Sequence, residues 1–427
     1  MKKNMALILI VSLFVSGFSA CGKSPIDEQV VWAADIKSTE VNSFDWKMDM
    51  DPFDEKFLEH VSQKKQGNYM TSPLSFRYAL GLLLAGAEGD TKAELIKALE
   101  VNSEEEWNEK CLIFNGVVDR FKANLQREID QINVYKEQGW MPKDGTEPYR
   151  ALRVANSVWK AERIKADFKE DYRKTVEQIY AAEYRSFTPK NAVEKINEWA
   201  DIKTEHMISK LLPDNYPTDM LAVVLMNALY FKDAWENEFD KGATHEADFY
   251  ARSGQTVRKE FMSNTDHYSY YEDKDTKLVI LPMKGGIYMA FVLGSQDGLS
   301  EKIAKADFEN VKVTIPKIDL ETDLSGGELV DFLKDSGVKL AFDAEKADFS
   351  AMLDNSIYVS DIIQKTRLKL DEEGVEAAAV TAVMVAETAL WRPEEPKEFT
   401  ADKPFSFYIY TTCNDFTSMM FAGEIVE

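Results

Sequence analysis

Residues 222–231 read AVVLMNALYF, a run with one polar side chain, Asn227, and no charge. Such a run suits a strand buried on both faces, so the chain must fold around a covered sheet. More strand signals follow it. Leu278 to Pro282 and Ile287 to Leu293 flank Gly285-Gly286, which reads as a hairpin. Val311 to Ile315 and Thr366 to Leu370 alternate apolar with polar, and Phe405 to Tyr410 and Ser418 to Val426 close the chain as strands. The first half is helical instead. Phe53, Phe57, Leu58 and Val61 lie on one face of a helix over Phe53–Lys64. Ser72-Pro73 opens a second helix that runs through Leu80 and Leu84 and stops near Gly86 and Gly89. Thr91 starts a third, carrying Leu95, Ile96 and Leu99. Helices first and strands later predict an α+β fold with large antiparallel or mixed sheets.

With 427 residues, 45% of them hydrophobic, the chain can bury one large core or two smaller ones. The excess of 74 acidic over 51 basic residues gives a net charge of -23, which repels phosphate backbones and argues against a nucleic-acid partner. Three cysteines (Cys21, Cys111, Cys413) and four histidines are scattered without metal-ligand spacing, so no metal or cofactor is expected. Two unpaired thiols at Cys111 and Cys413 are favoured over a disulfide.

The N-terminus is informative in another way. Lys2 and Lys3 precede an apolar run from Met5 to Phe18, then Ser19, Ala20 and Cys21. A basic start, a short apolar stretch and small residues read as a signal peptide over residues 1–20, too short for a comfortable membrane span. The ending FSAC resembles the lipobox of bacterial lipoproteins, although Phe18 stands where Leu is usual. Cleavage before Cys21 and lipidation of Cys21 are expected; ordinary cleavage leaving a free Cys21, and a membrane anchor, stay open. The polar residues 21–43 then serve as a tether, and 44–427 read as continuously globular.

Residues 371–389 read DEEGVEAAAVTAVMVAETA: three acids, a glycine, then small and β-branched residues. Composition alone leaves an Ala-rich helix and a buried strand equally open.

The rest of the chain decides between them by resemblance. GNYMTSPLSF (67–76) resembles the serpin opening N-x-x-x-S-P-x-S, and AGAEGDTKAEL (85–95) resembles GAxGxTxxEL. Ala155 to Trp159 resembles the ANxLF strand, and Ile196 to Leu212 the pattern INxWVxxxTxxxIxxLL. MNALYFKDAWENEF (226–239) is similar to VNAIYFKGxWxxxF, and Ala341 to Ser350 to AFDxxxADFS. Lys403 to Ile409 resembles H/KPFLFxI, and Phe421 to Val426 resembles FMGRVV. The motifs stand in serpin order across most of the chain. The resemblance implies about nine helices, three β-sheets and an exposed reactive loop over about 372–398. It also implies a monomeric, non-enzymatic inhibitor that traps a serine or cysteine protease as an acyl-enzyme while the cut loop inserts into a sheet. A secreted enzyme is the poorer reading, since no nucleophile elbow, metal cluster or phosphate loop is found.

On that resemblance the hinge is Glu372, Gly374, Val375, Glu376, Ala377, Ala378, Ala379, Val380 and Thr381. One alternating set, Val375, Ala377, Ala379, Thr381, Val383 and Val385, carries no charge, and Glu376 falls in the other set. A strand of about 14 residues spans ~50 Å. Counting from Gly374, the reactive bond is Thr388–Ala389. Its small and aliphatic neighbours Val385, Ala386 and Leu390 suit an elastase-like protease; a shift of the cut to Arg392 would suit a trypsin-like one. Ser72, Ser75 and Asn227 match the polar cluster under the moving sheet. Gln364 stands there where many members have His, and Trp235 matches the Trp where insertion begins. A helix cap, a buried amide and a core Trp are the plain readings of the same residues. Membrane contact is expected only through lipidated Cys21, in a bacterial cell envelope. The alternative function is a non-inhibitory serpin acting as a binding or chaperone-like protein.

Overall fold

The computed structural model of the chain describes residues 36–141, 148–219, 221–325, 327–375 and 395–427. Its helices are α1 (Pro52–Lys64), α2 (Pro73–Leu84), α3 (Gly89–Ala98), α4 (Glu104–Glu137), α5 (Glu170–Gln178), α6 (Ala192–Lys203), α7 (Leu299–Ala304) and α8 (Glu328–Asp335). The strands are β1 (Tyr69–Thr71), β2 (Ala151–Ala161), β3 (Ala182–Phe187), β4 (Val223–Ala234), β5 (His245–Tyr250), β6 (Thr256–Glu272), β7 (Thr276–Pro282), β8 (Tyr288–Gly294), β9 (Asp307–Pro316), β10 (Ile318–Leu324), β11 (Gln364–Leu370), β12 (Gly374–Val375), β13 (Lys397–Thr400), β14 (Phe405–Cys413) and β15 (Phe416–Ile425).

Local chemistry sets the helix starts. Asp51 caps α1, its carboxylate accepting from Phe53 N at 2.9 Å, and Pro52 occupies the first turn. Ser72 caps α2 the same way through Ser75 N at 3.2 Å. Ser103 caps α4, and Glu104, Glu105 and Glu106 place negative charge at its start. This 34-residue helix is absent from the sequence expectation. Its first half buries Trp107, Phe114 and Phe121, and in its second half Leu125, Ile129 and Ile132 continue the same face half-buried.

Two hydrogen-bonded sheets and eight α-helices are present among the described residues, against the three sheets and about nine helices expected. One sheet runs β10-β11-β12-β4-β2-β3. The other runs β1-β15-β14-β8-β7-β6-β9-β13, with β5 also on β6. The count falls because β6, 17 residues long, carries three ladders. It pairs β5 from Thr256 to Phe261, β9 from Phe261 to Tyr270 and β7 from Ser269 to Glu272. One strand thus fuses what would otherwise be separate sheets. Helix α2 packs between the sheets, against β4 on one side and β15 on the other. The apolar run of the sequence is β4, but Val223, Val224 and Leu225 are only half-buried, because they border a cavity described below. Cys111 and Cys413 are buried free thiols.

Candidate functional site

At the top of the six-stranded sheet the chain leaves β11 through Asp371, Glu372 and Glu373 and turns back as β12. The turn is closed by Asp371 N donating to Gly374 O at 3.0 Å and by Glu373 N donating to the Asp371 carboxylate at 2.9 Å. β12 lies between β11 and β4, antiparallel to both: Val375 pairs with Leu370 on one side and Asp233 on the other, and Gly374 pairs with Ala234. Only glycine fits at 374. Its φ is +148°, and an added Cβ would lie 2.2 Å from the Asp233 carbonyl oxygen.

The acids are fastened to the neighbouring strands. Trp235 donates from its indole to Asp371 O at 3.0 Å and from its backbone to Glu373 O at 3.0 Å, and Phe239 N reaches Glu372 O at 2.9 Å. Glu372, 5% exposed, accepts from Thr244 Oγ1 at 2.7 Å and pairs with Lys317 Nζ at 2.9 Å. Burial alone would raise the Glu372 carboxyl; the bonds from Thr244 and Lys317 outweigh it and hold the group below its ordinary range. Glu373 pairs with Lys241. Replacing Glu372 by lysine sets a cation against Lys317 in this corner. The E372K variant is expected to lose about 3 kcal/mol in urea unfolding, with most of it recovered when Lys317→Glu is added.

Below Val375, β4 and β11 are not paired with each other among the described residues. A cavity of about 170 Å³ lies there, bounded by Val223–Phe231 of β4, Gln364–Leu368 of β11 and Val375 above. Its floor holds the expected polar cluster. Gln364, 7% exposed, accepts from Thr71 Oγ1 at 2.6 Å and from Ser72 N at 2.9 Å, and donates to Ser72 O at 2.8 Å. Ser72 Oγ donates to Met420 O at 2.6 Å and caps Ser75. Four bonds thus clamp β11 and β15 to the start of α2. Asn227 borders the same cavity but bonds elsewhere: its amide donates to Asn156 Oδ1 at 2.8 Å, and its own Oδ1 is buried with no hydrogen-bond partner among the described residues.

The structure thus brings together Ser72, Ser75 and Gln364, and separately Glu372, Gly374, Val375 and Trp235. Glu376, Ala377, Ala378, Ala379, Val380, Thr381, Thr388, Ala389 and Cys21 lie outside the described residues. Sequence reasoning missed Thr71, Asn156 and Asp233. Asp233 had a visible signal: a charge at the end of an apolar strand, where the motif quoted above has Gly. It is fully buried, its backbone pairs with Val375, and its carboxyl is pushed up to about 6 by burial, opposed by Arg150 and by bonds from Gly285 and Ala234.

Comparison with known proteins gives this geometry its relatives. Residues 51–427 match the family described as serpin (serine protease inhibitor). Leukocyte elastase inhibitor from Equus caballus is 32% identical over 386 residues, covering 84% of this chain and 92% of that protein. An uncharacterized serpin-like protein of Methanosarcina acetivorans is 28% identical over 386 residues, covering 86% of this chain and 84% of that one. Among solved structures, the thermophilic serpin tengpin in its native state superposes with a TM-score of 0.69 at 25% identity, covering 95% of this chain and 99% of that one.

Proposed function

Because this chain belongs to the serpin family, we propose that it is an exported, lipid-anchored inhibitor that traps a serine protease by inserting its cut reactive loop between β4 and β11. The observation that carries this reading is the placement of Gly374–Val375. They already pair with both strands, and the two strands are unpaired beneath them, around a cavity. A strand continuing from Val375 would fill that space and complete the ladder on both sides.

In the proposed mechanism the protease attacks Thr388 and forms an ester with it, releasing the amine of Ala389. Insertion then competes with hydrolysis of that ester. Val375, Ala377, Ala379, Thr381, Val383 and Val385 enter the core without stranding a charge, while Glu376 faces solvent. The drive comes from a metastable native sheet that gains a strand.

The residues before and after the bond, Val385, Ala386 and Leu390, fit a shallow apolar pocket, and one relative is named an inhibitor of leukocyte elastase. The target is therefore an elastase-like serine protease. Residues 1–20 direct export, and lipidated Cys21 holds the chain in a bacterial envelope through the 21–43 tether.

Incubation with an elastase-like protease is expected to give a complex that survives SDS and boiling, with release of the peptide Ala389–Glu427 identified by mass. Cleaved chain together with fully active protease would reject trapping and favour a binding or chaperone-like role. Lipid labelling that persists in Cys21→Ser would reject the anchor.

A further inference from the structure

Asp233 has no part in the reading so far, yet its surroundings are built for it. Its carboxylate accepts from Gly285 N at 2.8 Å and Ala234 N at 3.0 Å, and pairs with Arg150 at 3.3 Å. Arg150 also pairs with Glu128 of α4. Gly285 sits in the turn between β7 and β8, in the other sheet. A Cβ on Gly285 would lie 2.6 Å from Asp233 Oδ2 and 2.2 Å from the Phe121 ring, so this turn can approach the carboxylate only as glycine. Two further backbone hydrogen bonds join the same two places, Glu236 N to Pro282 O at 3.0 Å and Lys284 N to Ala234 O at 3.0 Å, and together they form the Trp235–Met283 bridge.

These links sit at the upper end of β4, whereas the strand from Val223 to Phe231 borders the cavity. For a strand to enter between β4 and β11, β4 must move together with β2, to which it is paired from Ala151↔Lys232 to Lys160↔Val223. The upper end, held to the β7–β8 turn, is then the fixed point of that movement.

We infer that Asp233 is a positioning residue for loop insertion: its buried carboxylate locks the upper end of β4 to the β7–β8 turn and to Arg150, so that the sheet opens about a pivot next to Gly374. The inference rests on the insertion reading above. With the pivot held, β4 presents its edge to the loop in the register that Val375 has already begun. Without it, β4 shifts along its length, the second strand residue meets a displaced edge, and insertion slows against ester hydrolysis.

The test compares wild type with Asp233→Leu, which removes the acceptor and the charge, and with Gly285→Ala, which disturbs the same contact from the other side. Two quantities are read for each with one elastase-like protease: the chain consumed per protease trapped, and the rate at which the loop is first attacked. A buried donor left unpaired shifts a competing rate by about tenfold. Both variants are therefore expected to raise the ratio of chain cut without trapping to protease trapped about tenfold, with the rate of attack unchanged. A merely structural role would lower the unfolding midpoint and leave this partition alone; wild-type partition in either folded variant overturns the inference. Thermal unfolding of the cut wild-type chain separates the two levels. If cleavage brings no gain in stability, the insertion reading itself fails; if it does and the partition is unmoved by the variants, only the pivot fails.

Discussion

Replacing Val375 by glutamate is expected to turn the inhibitor into a substrate. Val375 is 3% exposed and pairs with Leu370 and Asp233, at the head of the cavity between β4 and β11. Under the proposed mechanism it heads the inserting set, already seated in the core before the cut. A carboxylate there cannot be buried without several kcal/mol of desolvation cost, and no cation lies across the ladder from it to offset this. The hinge then stays outside, the ester waits, and water removes the protease unharmed. The chain consumed per protease trapped should rise more than about tenfold, which titration of surviving protease activity measures directly. The uncut fold should hold, because β12 contributes only two residues to the sheet. Ala379→Asp belongs to the same alternating set and should act in the same direction. A V375E protein that still traps protease one for one would remove insertion at this register from consideration.

The second large effect is on stability, at the base of the helices. Arg77 on α2 is 2% exposed and pairs with Asp51 at 3.2 Å and Asp54 at 3.5 Å. Its guanidinium also lies over the rings of Phe53 and Trp107, at 5.0 and 4.9 Å. Burial drives the Asp54 carboxyl up to about 7, against the pull of Arg77, whereas for Asp51 the cations Arg77 and Lys110 outweigh burial and hold it low. Removing the guanidinium leaves two acids without their main partner. Arg77→Ala is expected to cost about 3–5 kcal/mol in urea unfolding at pH 8.

The pH dependence carries the sign. Asp54 and Asp233 bind a proton more tightly folded than unfolded, at about 7 and about 6 against an ordinary 3.8. Their contribution to stability therefore grows as pH falls from 8 through these values and is complete only below the ordinary range. Asp51 works the other way, its share being lost only in acid below that range. In Arg77→Ala the neutral acid form of Asp54 is the tolerable one, so the deficit should be smaller at pH 5 than at pH 8. An equal deficit at both would mean that the loss is one of packing.

The strands and first helices were legible because each rests on neighbours in sequence: the β4 run, the Ser72-Pro73 cap, the Gly285-Gly286 turn. Of the expected hinge, Gly374 and Val375 lie in β12, and the residues from Glu376 onward are outside the described ones. Pairings across the fold were not legible. Thr71 and Gln364 meet at a distance of 293 residues, and the pairing of Asp233 with Gly285 depends on how two sheets approach. The fusion of the strands into two sheets among the described residues was not legible, because nothing in residues 256–272 says that one strand will serve three ladders. Asn227 borders the cavity, but its bond to Asn156 depends on the β2–β4 register, which places the two side by side.

Helix α4 bears on a problem that the proposed trapping mechanism would set for any protein using it. Such a protein must be bitten in one place. From Lys122 to Glu137 the helix runs on for about 24 Å, with Leu125, Ile129 and Ile132 half-buried along one face and Glu128 paired with Arg150. As a loop it would be a second bait, wasting inhibitor on every encounter. As a helix it withholds the extended backbone that a protease grips. Its end is tied off, Trp140 N and Met141 N both reaching back to Tyr135 O at 2.9 and 3.3 Å, with the Trp140 ring tilted against Tyr135. Under the proposed trapping mechanism, the coiling of this segment leaves the reactive loop as the place of attack.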